Sequence, residues 1–364
     1  MAASLATSAM LPAQPAKFAV SVNPTVIIGD NEADVASTLA LVVGATRLSD
    51  GRIVVGDKAD LSIKVFSPQG KFLKAFGRKG SGPGEINYLA HFWRCGNNVL
   101  TYDIGNGDRV TVFSDDLTLV RSFRFPSSQN KSAYFSTCNA SGQFIHFGWE
   151  NNSDMKAGMF RSNVPFWITN ADNKVGPLLG DFAGSERYGI MEKGGGGTRP
   201  MPFGKQTVAA LGASRAYVGT ADSFSIMVFD LNGKKIGAIQ EKRTPTPVTQ
   251  ADIDDSKERE LIEQGKAWRS AILRDYAAMK FPKFMPAYSA FVVDALDNLW
   301  VQDYRSRSSS TMNWTVFNAQ GTNIGHLALS SNFDVLEVGR DYVLGRYLDP
   351  DVAVPQVRMY QLTR

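Results

Sequence analysis

Three sets of side chains in this sequence have the types and spacing to do chemistry. His91 with the carboxylates Asp103 and Glu150 is the first: an imidazole that titrates near neutrality, with acids in reach, is equipped to move a proton. The second follows matched strand ends at Asp57, Asp103, Gly148, Thr220, Asp303 and Arg346. Carboxylates spaced around one opening suit a cation or a substrate's hydroxyls. The plainer account is that each Asp caps its own turn. Arg109, Arg305 and Arg346 stand beside them and offset the charge that a bare metal site needs. The third set is aromatic: Tyr88, Tyr134, Trp149, Tyr188 and Tyr288, with Arg187, can line an amphipathic pocket for a carbohydrate, a peptide or an aromatic ligand.

Other chemistries are excluded or weakened. The three histidines, His91, His146 and His326, fall on a first, a second and a fourth strand of different repeats, so they cannot converge on zinc. Calcium would want acids on the innermost strands, and LVVGAT, LAHFWR, AYFSTC and TVAALG carry none. Cys95 and Cys138 have no metal-ligand spacing, and two separate buried thiols are the expected state, with a disulfide as the alternative. GRKGSGPGE and KGGGG lack the strand–glycine–helix context of a phosphate loop, and no GxSxG or serine triad stands out. The expectation is no metal and no cofactor. Basic and acidic residues nearly cancel, 39 against 35, and are interleaved; nucleic acid wants a concentrated basic face. No apolar run is long enough to span a bilayer.

The elements that must hold these residues recur. Six second strands align at IVVGD, VLTYD, FIHFG, AYVGT, LWVQD and YVLGR, each after a Gly/Asn/Asp-rich turn that tolerates left-handed backbone angles. Each leads to a third strand that alternates or ends in an aromatic, such as IKVF at 63–66 and WTVF at 314–317. A further turn and a fourth strand follow in five of them. Four strands per unit at a period of about 45 residues is a propeller pattern. The sixth unit ends without a fourth strand, and Pro24-TVIIGD is free to supply it, closing the ring and removing its open edges.

Three departures interrupt the repeat: an excursion at 149–164, a long connection at 180–206, and a longer one at 241–288 predicted to hold a helix over 249–280 capped by Thr249. Leu261, Trp268, Ile272 and Tyr276 recur on one helical face. All three leave from the same mouth of the central channel, which suggests a lid over a pocket.

The run GDKADLSIKVFSPQGKFLKAFG, the linker GSGPGE, YDIGNGDRVTVF, PAYSAFVVDALDNLWVQDY and the tail DYVLGRYLDP together resemble NHL-type six-bladed propellers. They resemble still more the predicted exported bacterial six-bladed propellers that share the NHL blade. The resemblance implies the fold and says little of activity, because propellers host binding scaffolds, lactonases, lyases and synthases alike. The expectation is an all-β, six-bladed β-propeller over 23–364 as one domain, monomeric, with residues 1–22 a disordered tail or the remainder of a signal peptide. Export or a periplasmic site is expected, with a cytoplasmic one left open. The leading function is binding of a small molecule, carbohydrate, peptide or protein at a lid-covered channel mouth. The competing one is a cofactor-independent lyase, hydrolase or cyclising synthase in the same pocket.

Overall fold

The computed structural model describes residues 16–29, 36–129, 131–148, 155–192, 195–304, 309–349 and 354–364. Trp149, Glu150, Arg305 and part of the 149–164 excursion lie outside them.

Turn chemistry sets the first blade. Its strands Val42–Arg47, Ile53–Asp57, Ser62–Phe66 and Phe72–Phe76 pair in sequence as one antiparallel sheet. Gly51 closes the first turn at φ +89°, a conformation a side chain would strain, and its N–H donates to the Leu48 carbonyl. Blades two to five occupy 89–124, 133–183, 208–240 and 290–330 with the same four-stranded order, and blade six begins at Phe333. This is a six-bladed β-propeller. The aromatic that ends most third strands is its packing unit: Phe66, Phe113, Phe229 and Phe317 are all buried. Each such side chain contributes about 2–3 kcal/mol of burial. Trp167, Trp300 and Trp314 fill the largest interior volumes.

Closure follows the sequence reading. Val26–Ile28 pairs antiparallel with Pro355–Thr363, the third strand of blade six, and so serves as its fourth. Two short strands fall inside the segment expected to be a tail. Ala19–Val20 pairs with the end of the same C-terminal strand, and Ala16–Lys17 adds in parallel to the outer strand of blade five. Phe18 between them is buried against Trp300. Strand pairing thus reaches residues before 23, where that phenylalanine has a pocket to fill. The Arg364 guanidinium fastens the other terminus by donating to Asp294, 2.7 Å away at the base of blade five.

One pairing corrects the sequence reading: Cys95 and Cys138 form a disulfide, with their Cα atoms 5.7 Å apart. They end the first strands of neighbouring blades at the same height. The turn after Cys95 then comes close enough for Gly96 to lie against the Ala140 carbonyl, where a side chain would collide. That approach puts the sulfurs in bonding range.

His146 is also a core residue. It lies on the second strand of blade three, fully buried, 3.1 Å from the Thr169 hydroxyl and packed by Phe125 and Trp167. Burial pushes its pKa down to about 3. The unfolded chain binds that proton near pH 6.5, so the stability from neutral His146 is complete above 6.5. It is lost as pH falls toward 3, at up to about 1.4 kcal/mol per pH unit. Glu337, whose carboxyl burial raises, works in the opposite sense and costs stability as pH rises above its ordinary value. Urea unfolding of wild type and His146→Gln across this range isolates the histidine: the variant should show the flatter profile, and equal slopes would contradict the assignment.

Candidate functional site

The two long connections pack against each other. The first forms a hairpin, Arg187–Glu192 with Gly195–Pro200, extended by Gly158–Phe160 from the blade-three excursion into a three-stranded sheet. The second forms two helices, α1 (Gln250–Gln264) and α2 (Arg269–Ala278). Thr249 starts α1 with a capping box: it accepts from the Asp252 N–H, and Asp252 accepts from the Thr249 N–H at 2.9 Å. The single helical face read from the sequence is broken at Gly265, φ +71°. Beyond the break Ile272 and Tyr276 are buried, while Trp268 is 60% exposed. The insertion rises from a stem in which Thr246 and Val248 hydrogen-bond to Met285 and Lys283.

Hairpin and helices are joined by charge. Arg199 donates to Asp275 at 3.0 Å and to Glu260, and its guanidinium sits 5.6 Å from the Tyr276 ring centre. The Tyr276 hydroxyl donates to Glu260 at 3.2 Å and lies 3.0 Å from the Ser256 hydroxyl; burial is the main reason its pKa is raised. Tyr188 adds a bond to the Ala278 carbonyl at the end of α2. Between these walls lies a cavity of about 880 Å³, lined by Ile190, Met201, Phe203, Trp268 and Ile272 with charged groups from α1. Tyr304, from the second-to-third loop of blade five, connects it to the propeller. That volume lies within the usual range for small-ligand sites.

Of the residues singled out in the sequence, few face this cavity. Asp57 is fully buried and accepts from the Ala40, Leu41 and Ala59 N–H groups. Asp103 repeats the arrangement, accepting from Asn87 and Tyr88 at 2.9 and 2.8 Å. Both carboxylates, expected at a ligand or catalytic site, fasten the approach to a first strand in the structure. Asp303 is instead taken by Arg243 at 2.6 Å; that guanidinium also binds Glu241 and Thr315 and lies 3.6 Å from the Phe224 ring centre. Burial raises the Asp303 carboxyl and Arg243 opposes it.

Arg109 organises the glycine-rich linker, donating to the carbonyls of Ser81, Gly82 and Glu85. Arg346 holds Asp334 and the Val42 carbonyl. Tyr288 is a core residue, 1% exposed, its hydroxyl donating to Ser225 and accepting from Ala221. In the structure Arg109, Arg346 and Tyr288 each make internal hydrogen bonds that tie loops and strands of the scaffold together. Arg187 donates to Thr198 across the hairpin, Tyr134 packs on Phe147, and Tyr88 lies 4.0 Å from the Lys58 ammonium at the surface.

His91 stands apart. It is half-buried on the innermost strand of blade two, stacked 6.0 Å from Tyr102 and edge-on to Trp93. Burial lowers its pKa, and its ring has no hydrogen-bond partner among the described residues. Among the described residues no carboxylate pairs with it: Asp103 is engaged with the Asn87 and Tyr88 N–H groups, and Glu150 lies outside the described residues. Among the described residues no group of three histidines, cysteines or acids is placed to hold a metal ion, and no helix is long and apolar enough to cross a membrane.

The class defined by this architecture is the six-bladed propeller with a hairpin and a helix pair inserted between blades. The family described as 6-bladed beta-propeller (DUF5128) matches residues 37–161. Among solved structures the chain is similar to a DUF4221 member from Bacteroides vulgatus ATCC 8482, with a TM-score of 0.52 and 11% identity over 96% of this chain and 100% of that one. It is also similar to an exported-protein candidate from Bacteroides fragilis NCTC 9343 (TM-score 0.49, 14% identity, 95% of each chain). A third is virginiamycin B lyase of Staphylococcus aureus (TM-score 0.41, 10% identity, 96% and 100%). No curated protein sequence gives a significant match.

Proposed function

We propose that this protein is a ligand-binding propeller of one domain, working as a monomer, whose site is the cavity between the hairpin and α1–α2. The observation that carries the reading is the wall itself. Arg199, Glu260, Asp275 and Tyr276 interlock two insertions that the repeat does not need, and they leave Trp268 exposed to the space between. Scaffold packing has no use for an exposed tryptophan beside a charged network, whereas ligand recognition does. The disulfide supports maturation in an oxidising compartment, hence export.

A second reading, a cofactor-independent lyase, hydrolase or cyclising synthase, rests on His91 alone. Its unpartnered ring and lowered pKa suit a general base.

The hydrogen-bonded stem makes the test clean. Residues 249–281 can be replaced by a short Gly-Ser linker between backbone segments already hydrogen-bonded to each other. A thermal-shift panel of sugars, lactones and peptides should stabilise wild type and His91→Ala alike, and leave the excised protein unmoved. Stabilisation that survives excision but disappears in His91→Ala would favour the enzyme and overturn the cavity reading.

A further inference from the structure

We infer that the ligand taken by this cavity is a neutral oligosaccharide, seated with its ring faces on Trp268 and Phe203 and its hydroxyls along α1; the inference rests on the cavity reading above. The two aromatics come from different insertions. Phe203 follows the hairpin strand Gly195–Pro200, and Trp268 stands between α1 and α2. Neither belongs to the buried core, and neither meets another aromatic ring among the described residues. Both line the cavity.

Phe203 is held there against its backbone preference. Met201–Gly204 form a β-turn closed by the Gly204 N–H, which donates to the Met201 carbonyl at 2.9 Å. With Pro202 second and a positive φ third, the turn follows the type II pattern, whose third residue is normally glycine. That place is taken by Phe203 at φ +58°, a rare conformation for a bulky side chain. Glu186 fixes the turn from one side. Its backbone accepts from the Met201 N–H and donates to the Lys205 carbonyl, and its carboxylate accepts from the Lys205 N–H at 2.8 Å. Strain that the surroundings hold in place clusters at ligand sites, and here it presents a phenyl ring to the cavity.

The facing wall is of the opposite kind. α1 buries no residue, and the side it turns to the cavity carries Asp255, Ser256, Arg259, Glu260 and Glu263, at the spacing of one helical face. Most of its charge is already paired: Arg259 donates to Asp255 at 2.6 Å, and Arg199 to Glu260. Paired guanidinium and carboxylate groups keep spare N–H donors and lone pairs, so together they make a fixed row of donors and acceptors. A ligand that fits both walls has an apolar face and a hydroxyl-rich rim. That is the chemistry of a sugar ring, whose C–H groups meet the electron-rich face of an aromatic side chain. A flat heteroaromatic compound would leave the α1 row without partners, and a bare cation would leave both rings unused. Carboxylates outnumber arginines around the cavity, five to three, which disfavours an acidic sugar.

The probes are cellotetraose, xylotetraose, mannotetraose and maltotetraose, titrated calorimetrically into the full chain beside tetragalacturonate, indole and tryptamine. The expected result is saturable binding of at least one neutral tetrasaccharide with a Kd below about 1 mM, and no binding of the uronate. Trp268→Ala, at an exposed position, should weaken that binding about tenfold or more. Phe203→Gly separates recognition from folding. Glycine takes the left-handed conformation freely, so the thermal midpoint should hold or rise while affinity falls about tenfold or more.

Sugar binding that is indifferent to both variants overturns the inference, and so does uronate binding as tight as that of the neutral chains. A Phe203→Gly protein that loses stability along with affinity makes the phenyl ring scaffold and overturns its part. If indole or tryptamine binds in a manner lost on excision of 249–281 while no tetrasaccharide binds, the cavity reading stands and the sugar falls. If no compound depends on the insertion, both fall.

Discussion

Replacing Cys95 and Cys138 by alanine is expected to lower stability by about 4 kcal/mol and the unfolding midpoint by about 5 °C. The figure follows from the sequence separation of 43 between the two cysteines: a crosslink over that span removes about 13 cal/mol/K of chain entropy from the unfolded state. A chain of 364 residues has an unfolding entropy near 760 cal/mol/K, so each kcal/mol is worth little more than 1 °C. The bond also has a local role, since it joins the innermost strands of blades two and three. Those blades pack largely through aromatic contacts, Phe123, Phe125 and Phe144 among them. Calorimetry of the double variant beside dithiothreitol-treated wild type measures the effect. Equal midpoints for oxidised, reduced and substituted protein would remove both the staple and the argument for an oxidising compartment.

Asp57→Ala is expected to be as damaging, at about 3–5 kcal/mol, and for an instructive reason. The carboxylate is 0% exposed, accepts three backbone N–H groups and lies 3.9 Å from the Lys64 ammonium. Alanine leaves those donors buried without acceptors and leaves the Lys64 ammonium to Asp60 and the Thr38 carbonyl. The loss falls on folding, read as a shifted urea midpoint, while protein that remains folded keeps its ligand affinity within about twofold. A variant of unchanged stability that no longer binds ligand would return Asp57 to the functional ring read from the sequence.

The fold was legible because its signals are local and repeated. A turn residue, a strand and a terminal aromatic recur about every 45 residues, and even the closing strand at Val26 could be paired by counting. Cap geometry was also legible: Thr249 and Asp252 lie three residues apart. What stayed hidden depends on distant partners. Arg199 meets Glu260 across 61 residues and Asp275 across 76, and nothing within either segment marks the pairing. The matched aspartates were visible as a ring, but a buried cap and a ligand contact use the same residue type, and only the N–H groups of Ala40 and Asn87 decide between them. The cysteines were seen at equivalent strand ends; the close approach at Gly96 that joins them was not.

The most direct measurement is a hydrogen–deuterium exchange footprint with whichever compound stabilises the protein most. Protection concentrated at 187–200 and 250–278, with the blade cores unchanged, is the predicted result. Protection confined to the channel strand around His91, or to the opposite face near Asp294 and Arg364, would contradict the claim that the insertions form the site.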